Sequence, residues 1–311
     1  MSNLIGYSAF SGSDIGYMIL KDLGIVIEKY YSSEIDKSAI SVSKKHFPEI
    51  HHLGDITKID ATQLTHVNYM SAGSPCQGFS RNGKGLNFDD PRSGLFFEWN
   101  KQRLIIQPTY FFLENVCMKK EWEDIITDTL GVEPIKTNAS DYSAQKRPRT
   151  FWTNIPQAND TVINNVTVKD ILEENAVPFS DFTEDEKKLV EFLDDGTLKV
   201  KNATSKGYLI AEDGDTFNCS FPNSKTRRGR VGKQKFNTLD RQCNQAIFIN
   251  GKIRKPSIVE LCRCQGYPDD FLCELSSGKA RSIIGNGWNK PQISSLHLGM
   301  IKYFNNKGTK L

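Results

Sequence analysis

No apolar run in this sequence approaches the ~18 residues of a membrane-spanning helix. The N-terminus also lacks the charged-then-apolar order of a signal peptide, so the chain is expected to work inside a cell. Charge of one sign is scarce too: 40 Lys and Arg against 37 Asp and Glu leave +3, too little to identify a partner. The seven cysteines (76, 117, 219, 243, 262, 264, 273) are odd in number and scattered through 311 residues, a length that needs no covalent staples. Cys262 and Cys264 are the closest pair, and no C-x-x-C or paired-histidine partner lies at zinc spacing, so neither a disulfide framework nor a metal site is expected. Internal repeats and low-complexity tracts are absent.

What is present, in the first half, is an alternation of strand and helix patterns. "LIGYSAF" (4–10) reads as a buried strand, and Gly12 and Gly16 bracket a turn into a helix over about 14–23. "VIEKYYSSE" (26–34) reads as a second strand, followed by a helix from about Asp36 to Phe47. "HVNYMSAG" (66–73) and "TYFFLEN" (109–115) are further strands, with a helical stretch around 95–106 between them. Such spacing indicates βαβ units and an α/β fold, a mostly parallel doubly wound sheet with helices on both faces.

After about 155 the character changes. Residues 170–195 are rich in Asp and Glu and read as a solvated helix. Residues 225–235, "KTRRGRVGKQK", carry six Lys or Arg and no acid. With two glycines and no apolar face, this stretch reads as a surface loop, free or contacting phosphate.

Candidate chemistry collects at the predicted strand ends. In an open parallel sheet, ligands bind beyond the C-terminal edges of the strands. "AFSGSDIG" (9–16) is the first such turn, although it lacks G-x-G-x-x-G spacing. Glu34 ends the second strand, where an acid accepts from ribose hydroxyls, and Asp55 of "GDI" (54–56) is placed to accept from an adenine amino group. Each acid alone is equally a helix cap. Cys76 follows Gly-Ser-Pro in "SAGSPCQGFS" (71–80), a turn that would favour a thiolate and fix its approach, although an inert loop cysteine has the same local sequence. Glu114 in "LENV" (113–116) follows an apolar run whose desolvation would keep its carboxyl protonated. In "SAQKRPRTFWTN" (143–154) the side chains of Gln145, Arg147 and Arg149 alternate, which puts them on one face of an extended segment. Thiol, acid and arginines together suit attack on an electron-poor ring.

With "FSGSDIG", Glu34, "GDI", "PCQGFS", "LENV", "QKRPR", "CRCQGYPDDF" (262–271) and "IGNGWNKP" (284–291) in this order, the chain resembles the cytosine-carbon-5 DNA methyltransferases that use S-adenosylmethionine. In detail it is most similar to the animal de novo branch: "LKDLGI", "RSGLFFEW" (92–99), "RTFWTN" (149–154), "FINGK" (248–252) and Trp288. It departs from most bacterial members in its longer first turn and in "GNGW" where many have G-N-S.

The resemblance implies a Rossmann-like methyltransferase core at 1–155, a target-recognition region with an acidic insertion at 156–260, and a C-terminal segment at 261–311 that completes the core. It implies that Cys76 attacks carbon 6 of a flipped cytosine, Glu114 bonds the ring nitrogen, and Arg147 and Arg149 hold the base and the thiol environment. Cofactor contacts carried over are Phe10 on adenine, Ser11, Gly12 and Gly16 in the turn, Glu34 and Ile35 at the ribose, and Asp55 with Ile56 at the adenine edge. Pro75, Leu95, Asn286 and Trp288 would complete that pocket, with 284–301 folding back onto the first half. Nucleic-acid contacts are assigned to Ser80, Arg81 and Asn82, in a lid at 77–91, and to Lys225, Arg227, Arg228, Arg230, Lys233 and Lys235. The implied partner is double-stranded DNA and the implied setting the cytoplasm of a bacterial or phage-infected cell, with homodimerisation left open. So are three alternatives: a transfer RNA cytosine methyltransferase, a catalytically silent DNA-binding homologue, and transfer of a group other than methyl. The stretch 160–217, with its acidic portion, has no counterpart in the family's pattern and reads as a packing or oligomer-contact insertion, with a DNA-reading role as the alternative.

Overall fold

A computed structural model describes residues 3–75, 94–157 and 163–305. By backbone contacts the chain divides into two compact units. One comprises Met1–Thr137, Pro148–Thr161 and Gln292–Leu311, the other Asn138–Arg147 and Val162–Pro291.

The first unit carries a seven-stranded sheet. Its elements in chain order are β1 (Leu4–Ala9), α1 (Ile15–Asp22), β2 (Ile27–Ser33), α2 (Lys37–His46), β3 (His51–His52), β4 (Tyr69–Gly73), α3 (Gly94–Ile106), β5 (Tyr110–Val116), α4 (Lys120–Leu130), β6 (Ile135–Asn138) and β7 (Pro148–Thr153). The strands and helices expected in the first half are all present, with ends moved by a few residues. Strand order is β3-β2-β1-β4-β5-β7-β6. β1, β2, β3, β4 and β5 pair in parallel, and β7 runs antiparallel against β5. The order reverses between β1 and β4, the place where an open α/β sheet forms its binding crevice.

Strands covered on both faces should be apolar throughout, and β1, β4 and β5 are nearly so. Tyr7, Met70, Trp99, Phe111, Leu113, Ile126 and Trp152 belong to one buried cluster. The C-terminal helices α8 (Lys290–His297) and α9 (Gly299–Asn305) add a second layer. His297, fully buried, accepts from the Tyr69 hydroxyl at 2.8 Å and donates from Nδ1 to the Ile293 carbonyl, while burial pushes its pKa down to about 4. Of the segment expected to fold back onto the first half, residues from Gln292 onward do so, and 284–291 belong to the second unit.

The second unit contains two small antiparallel sheets and three helices. One sheet joins β8 (Val190–Phe192), β9 (Leu198–Lys201) and β10 (Tyr208–Ala211). The other joins β11 (Thr216–Asn218), β12 (Val231–Gly232), β13 (Gln245–Ile249) and β14 (Lys252–Arg254). Leu198, Val200 and Ala211 of the first share a core with Phe217, Cys219, Ala246 and Phe248. Within the stretch 160–217, Leu198, Val200, Ala211 and Phe217 are thus part of this unit's core. The helices are the single turn α5 (Glu184–Lys187), α6 (Ile258–Gln265) and α7 (Ser277–Asn286).

The acidic stretch is not a solvated helix. Only α5 is α-helical within it, and Glu186 turns inward to meet the fully buried Lys255 at 3.0 Å. The buried ammonium also donates to Asn244 Oδ1 and lies over the Phe182 ring, so the charge is paired rather than stranded. Among the described residues the cysteines are free thiols, no group of side chains could hold a metal ion, and no helix is long and apolar enough to cross a membrane.

The basic stretch is pinned at its centre. Gly229 has φ +56°, and a Cβ there would lie 1.7 Å from the Lys201 carbonyl oxygen, so only glycine fits. The Asn202 side chain donates to its carbonyl at 2.7 Å. Gly229→Ala should therefore lower the stability of the second unit by at least ~2 kcal/mol, read as a fall in urea midpoint at unchanged m-value.

Candidate functional site

The C-terminal ends of β1, β2, β4 and β5 bring together most of the candidates that lie in the first unit. After β1 the chain enters an irregular turn with Phe10 (φ 53°), Gly12 (φ 58°) and Asp14 (φ 58°) all in the left-handed region. No heavy atom lies within 4 Å of where a Gly12 Cβ would stand, so the face of the turn is open. Glu34, just past β2, folds its carboxylate onto this turn. Oε2 accepts from the Gly12 N–H at 2.9 Å, and Oε1 accepts from the N–H groups of Ile35 and Asp36. Phe10 and Leu95 are half-buried and pack on the same core cluster, and Ile35 is 73% exposed. Gly16 lies in the first turn of α1, fully buried.

A carboxylate folded onto an open glycine turn, beside an aromatic side chain, fits the adenosine half of S-adenosylmethionine, with Phe10, Gly12, Glu34 and Leu95 as the residues that would hold it. Two of the expected contacts have their own local partners. The Ile56 side chain is buried in the core cluster, so any contact with an adenine edge would fall to its backbone. Asp55 caps a single helical turn: its Oδ1 accepts from the N–H and hydroxyl of Thr57, which holds its pKa below the ordinary value and leaves the other oxygen outside these bonds.

β4 and β5 supply the second cluster. Gly73 is the register partner of Glu114. The buried Asn115 donates to Ser74 Oγ at 2.8 Å and accepts from the Val116 N–H, which ties the Ser74-Pro75 turn to the end of β5. Cys76 follows Pro75 in the chain and lies outside the described residues, as do Ser80, Arg81, Asn82 and the expected lid at 77–91.

Antiparallel pairing of β5 with β7 sets Phe151 opposite Glu114 and Arg149 opposite Val116, so Glu114 and Arg149 are diagonal neighbours on one face. Arg149 Nε stands 2.7 Å from Glu114 Oε1, with both side chains nearly buried. The N–H does not point at the oxygen, so this is a close ion pair without an aligned hydrogen bond. The surroundings of Glu114 are therefore not apolar alone.

The expected shared role of Gln145, Arg147 and Arg149 is not what forms. Gln145, fully buried, accepts from the Leu239 N–H and donates to Gln265, both in the second unit. Arg147, also buried, donates to the carbonyls of Leu239, Gly285 and Gly287 at 2.9–3.1 Å. Arg147 thereby holds the "IGNGW" segment in its own unit by two charge-assisted bonds and ties it to Leu239 by a third. Within that segment Asn286 ends α7 and is exposed, and the Trp288 carbonyl accepts from the Tyr267 hydroxyl at 2.7 Å.

Asn289 and Asp14 were missed in the sequence. Asn289 Nδ2 donates to Ser143, Cys264 and Gln265, and Asp14 is buried behind the cofactor turn. Burial of a polar residue was the only signal for either, and it exists only in three dimensions.

The basic candidates divide. Lys233 is paired with Asp215 and Glu212, and Lys235 donates to the carbonyls of Ser140 and Ser143. Arg228 is half-buried and donates to the Asn202 carbonyl. Lys225, Arg227 and Arg230 are exposed, with Arg227 5.5 Å over the Phe221 ring.

Residues 7–299 match the family model described as C-5 cytosine-specific DNA methylase. The chain is 30% identical over 296 residues to the type II methyltransferase M.NgoBI of Neisseria gonorrhoeae, covering 86% of each chain. It is 28% identical over 295 residues to the type II methyltransferase M1.ScrFI of Lactococcus lactis subsp. cremoris, covering 89% of this chain and 72% of the other. The methyltransferase EhMeth of Entamoeba histolytica has the same fold, with a TM-score of 0.68 at 16% identity over 97% of this chain and 99% of that one. These bacterial type II relatives leave the finer likeness to the animal de novo branch without support.

The division between the arginines is measurable. Arg147→Ala should unpair three carbonyls and destabilise the second unit by about 3 kcal/mol, read by urea denaturation. Arg149→Ala should leave stability nearer the parent's and act on turnover.

Proposed function

The chain belongs to the C-5 cytosine-specific DNA methylase family, and on that premise we propose that it methylates double-stranded DNA through a covalent Cys76 adduct, with Glu114 and Arg149 as the acid and the cation of the site. As a member it transfers a methyl group from S-adenosylmethionine to carbon 5 of cytosine in DNA. The observation that carries the finer reading is the Glu114–Arg149 pair at the shared end of β5 and β7, beside the strand that leads into Cys76.

The Cys76 thiolate adds to carbon 6, and the ring's electron pair moves toward carbon 5 and nitrogen 3. In its protonated form Glu114 donates that proton to nitrogen 3, so the ring gains nucleophilic character without building full negative charge. When bound, S-adenosylmethionine supplies the electrophilic methyl group that carbon 5 takes. Loss of the carbon-5 proton to solvent water then expels the thiolate, and return of the nitrogen-3 proton to the Glu114 carboxylate restores the neutral aromatic ring and the acid. Arg149 holds the acid in place, and through Asn115 the turn before Cys76 is fixed to the same strand. A stacked cytosine hides carbon 6, so the base must leave the duplex, at a few kcal/mol.

The three exposed basic residues, Lys225, Arg227 and Arg230, support a phosphate-contacting surface in the second unit. With Lys233 and Lys235 already engaged, fewer phosphates are neutralised than six basic residues would allow.

Cys76→Ser should abolish methyl transfer and retain cofactor binding, and DNA containing 5-fluorocytosine should trap the parent protein as a covalent complex. Near-normal transfer by the serine variant, or capture by labelled transfer RNA in place of duplex DNA, would overturn this reading. Glu114→Gln should lower turnover by roughly 10²–10⁴ with a small effect on DNA affinity. For DNA binding, log affinity against log salt should have a slope of about −3, and triple substitution of Lys225, Arg227 and Arg230 should flatten it.

A further inference from the structure

Behind the cofactor turn lies a chain of polar groups that the methyl-transfer chemistry does not use. Asp14 stands before the first residue of α1, yet its side chain caps no helical N–H. It is 1% exposed, and its Oδ2 accepts from Ser32 Oγ of β2 at 3.0 Å and from Ser43 Oγ of α2 at 2.6 Å. Ser32 Oγ is in turn 2.7 Å from Ser11 Oγ, in the turn itself. Asp14 Oδ1 and the neighbouring Ser13 Oγ, both buried, have no hydrogen-bond partner among the described residues.

Each hydroxyl has one proton to give, and that decides the direction of the chain. With Asp14 ionised, Ser32 donates to the carboxylate and must accept from Ser11. The Ser11 proton then points inward, and its outer side offers only lone pairs. With a proton on Asp14 Oδ2, the acid donates to Ser32, Ser32 donates to Ser11, and the Ser11 proton is released outward. The first arrangement suits a cationic ligand and the second an anionic one.

We propose that Asp14 is a positioning residue for the cofactor: its charge state sets the orientation of the Ser11 hydroxyl through Ser32 and so tunes affinity for the cationic S-adenosylmethionine. This rests on the cofactor reading of the turn.

Burial raises the Asp14 carboxyl to about 7, against the hydrogen bonds of Ser43, Ser32 and Ser11, with Glu34 adding a smaller push in the same direction. The switch therefore falls within the working pH range. The other ionisable groups facing the cluster are Tyr30 of β2, whose own pKa burial raises, and His52 of β3, which reaches Ser43 at 3.3 Å and is held down by burial and by Lys44 of α2. Tyr30 stays neutral across that range, and the lowering of His52 moves its charge change toward the acid side of the window in which Asp14 switches.

Equilibrium binding of S-adenosylmethionine to the full chain, by calorimetry at pH 6, 7 and 8, tests the proposal. The cofactor's own ammonium titrates near this range, so the informative quantity is the ratio of dissociation constants, parent over Asp14→Asn. Asparagine keeps both acceptor bonds and cannot ionise. The ratio should fall about three- to tenfold from pH 6 to pH 8. Ser32→Ala keeps the carboxyl and breaks the relay, so it should behave like Asp14→Asn. A ratio constant with pH would remove Asp14 from cofactor binding. A full pH dependence surviving in Ser32→Ala would show charge acting through space and overturn the relay. Parent protein that binds no cofactor at any pH would refute the placement of the turn itself, and the inference with it.

Discussion

The seating of β4 between β1 and β5 is the constraint from which the site follows. It reverses the strand order there and aligns the C-terminal ends of β1, β2, β4 and β5 in one row. Parallel strands need both faces covered, and the cluster of Tyr7, Met70, Leu113 and Trp152 covers one of them tightly enough to fix the register. Register then sets the candidate site, because Gly73 lies beside Glu114 and Cys76 follows three residues later in the chain.

A second constraint is the direction of β7. Entering antiparallel beside β5, it delivers Arg149 diagonally onto Glu114, where a parallel strand would have presented a different residue. The strand begins at Pro148, and the two residues upstream that share its alternation belong to the other unit. Gln145 and Arg147 are therefore drawn into buried hydrogen bonds with Leu239, Gln265 and the "IGNGW" carbonyls. Three side chains that look equivalent along the chain acquire two different occupations.

The second unit shows how composition can mislead. Its acidic stretch contributes Glu186 to a buried pair with Lys255, and two of its six clustered basic residues are consumed by Asp215, Glu212 and the carbonyls of Ser140 and Ser143. Charge counted along a segment is an upper bound on the charge a surface offers. Folding neutralises part of it internally, since a buried ion without a partner is strongly disfavoured.

The sequence by itself determined the alternation of strands and helices, the order of the catalytic and cofactor blocks, and the position of Glu34 and Glu114 at strand ends. These are local properties, set by apolar periodicity and by short stretches whose chemistry is read residue by residue. Only the tertiary structure decided that Ile56 belongs to the core, that Asp55 is a cap, that Arg147 is a structural tie and Arg149 the partner of Glu114. It also decided that Asp14 lies buried against Ser32 and Ser43. The reason is that partner choice and burial depend on groups tens to hundreds of residues apart, such as Arg147 and Gly287, whose proximity no local pattern encodes.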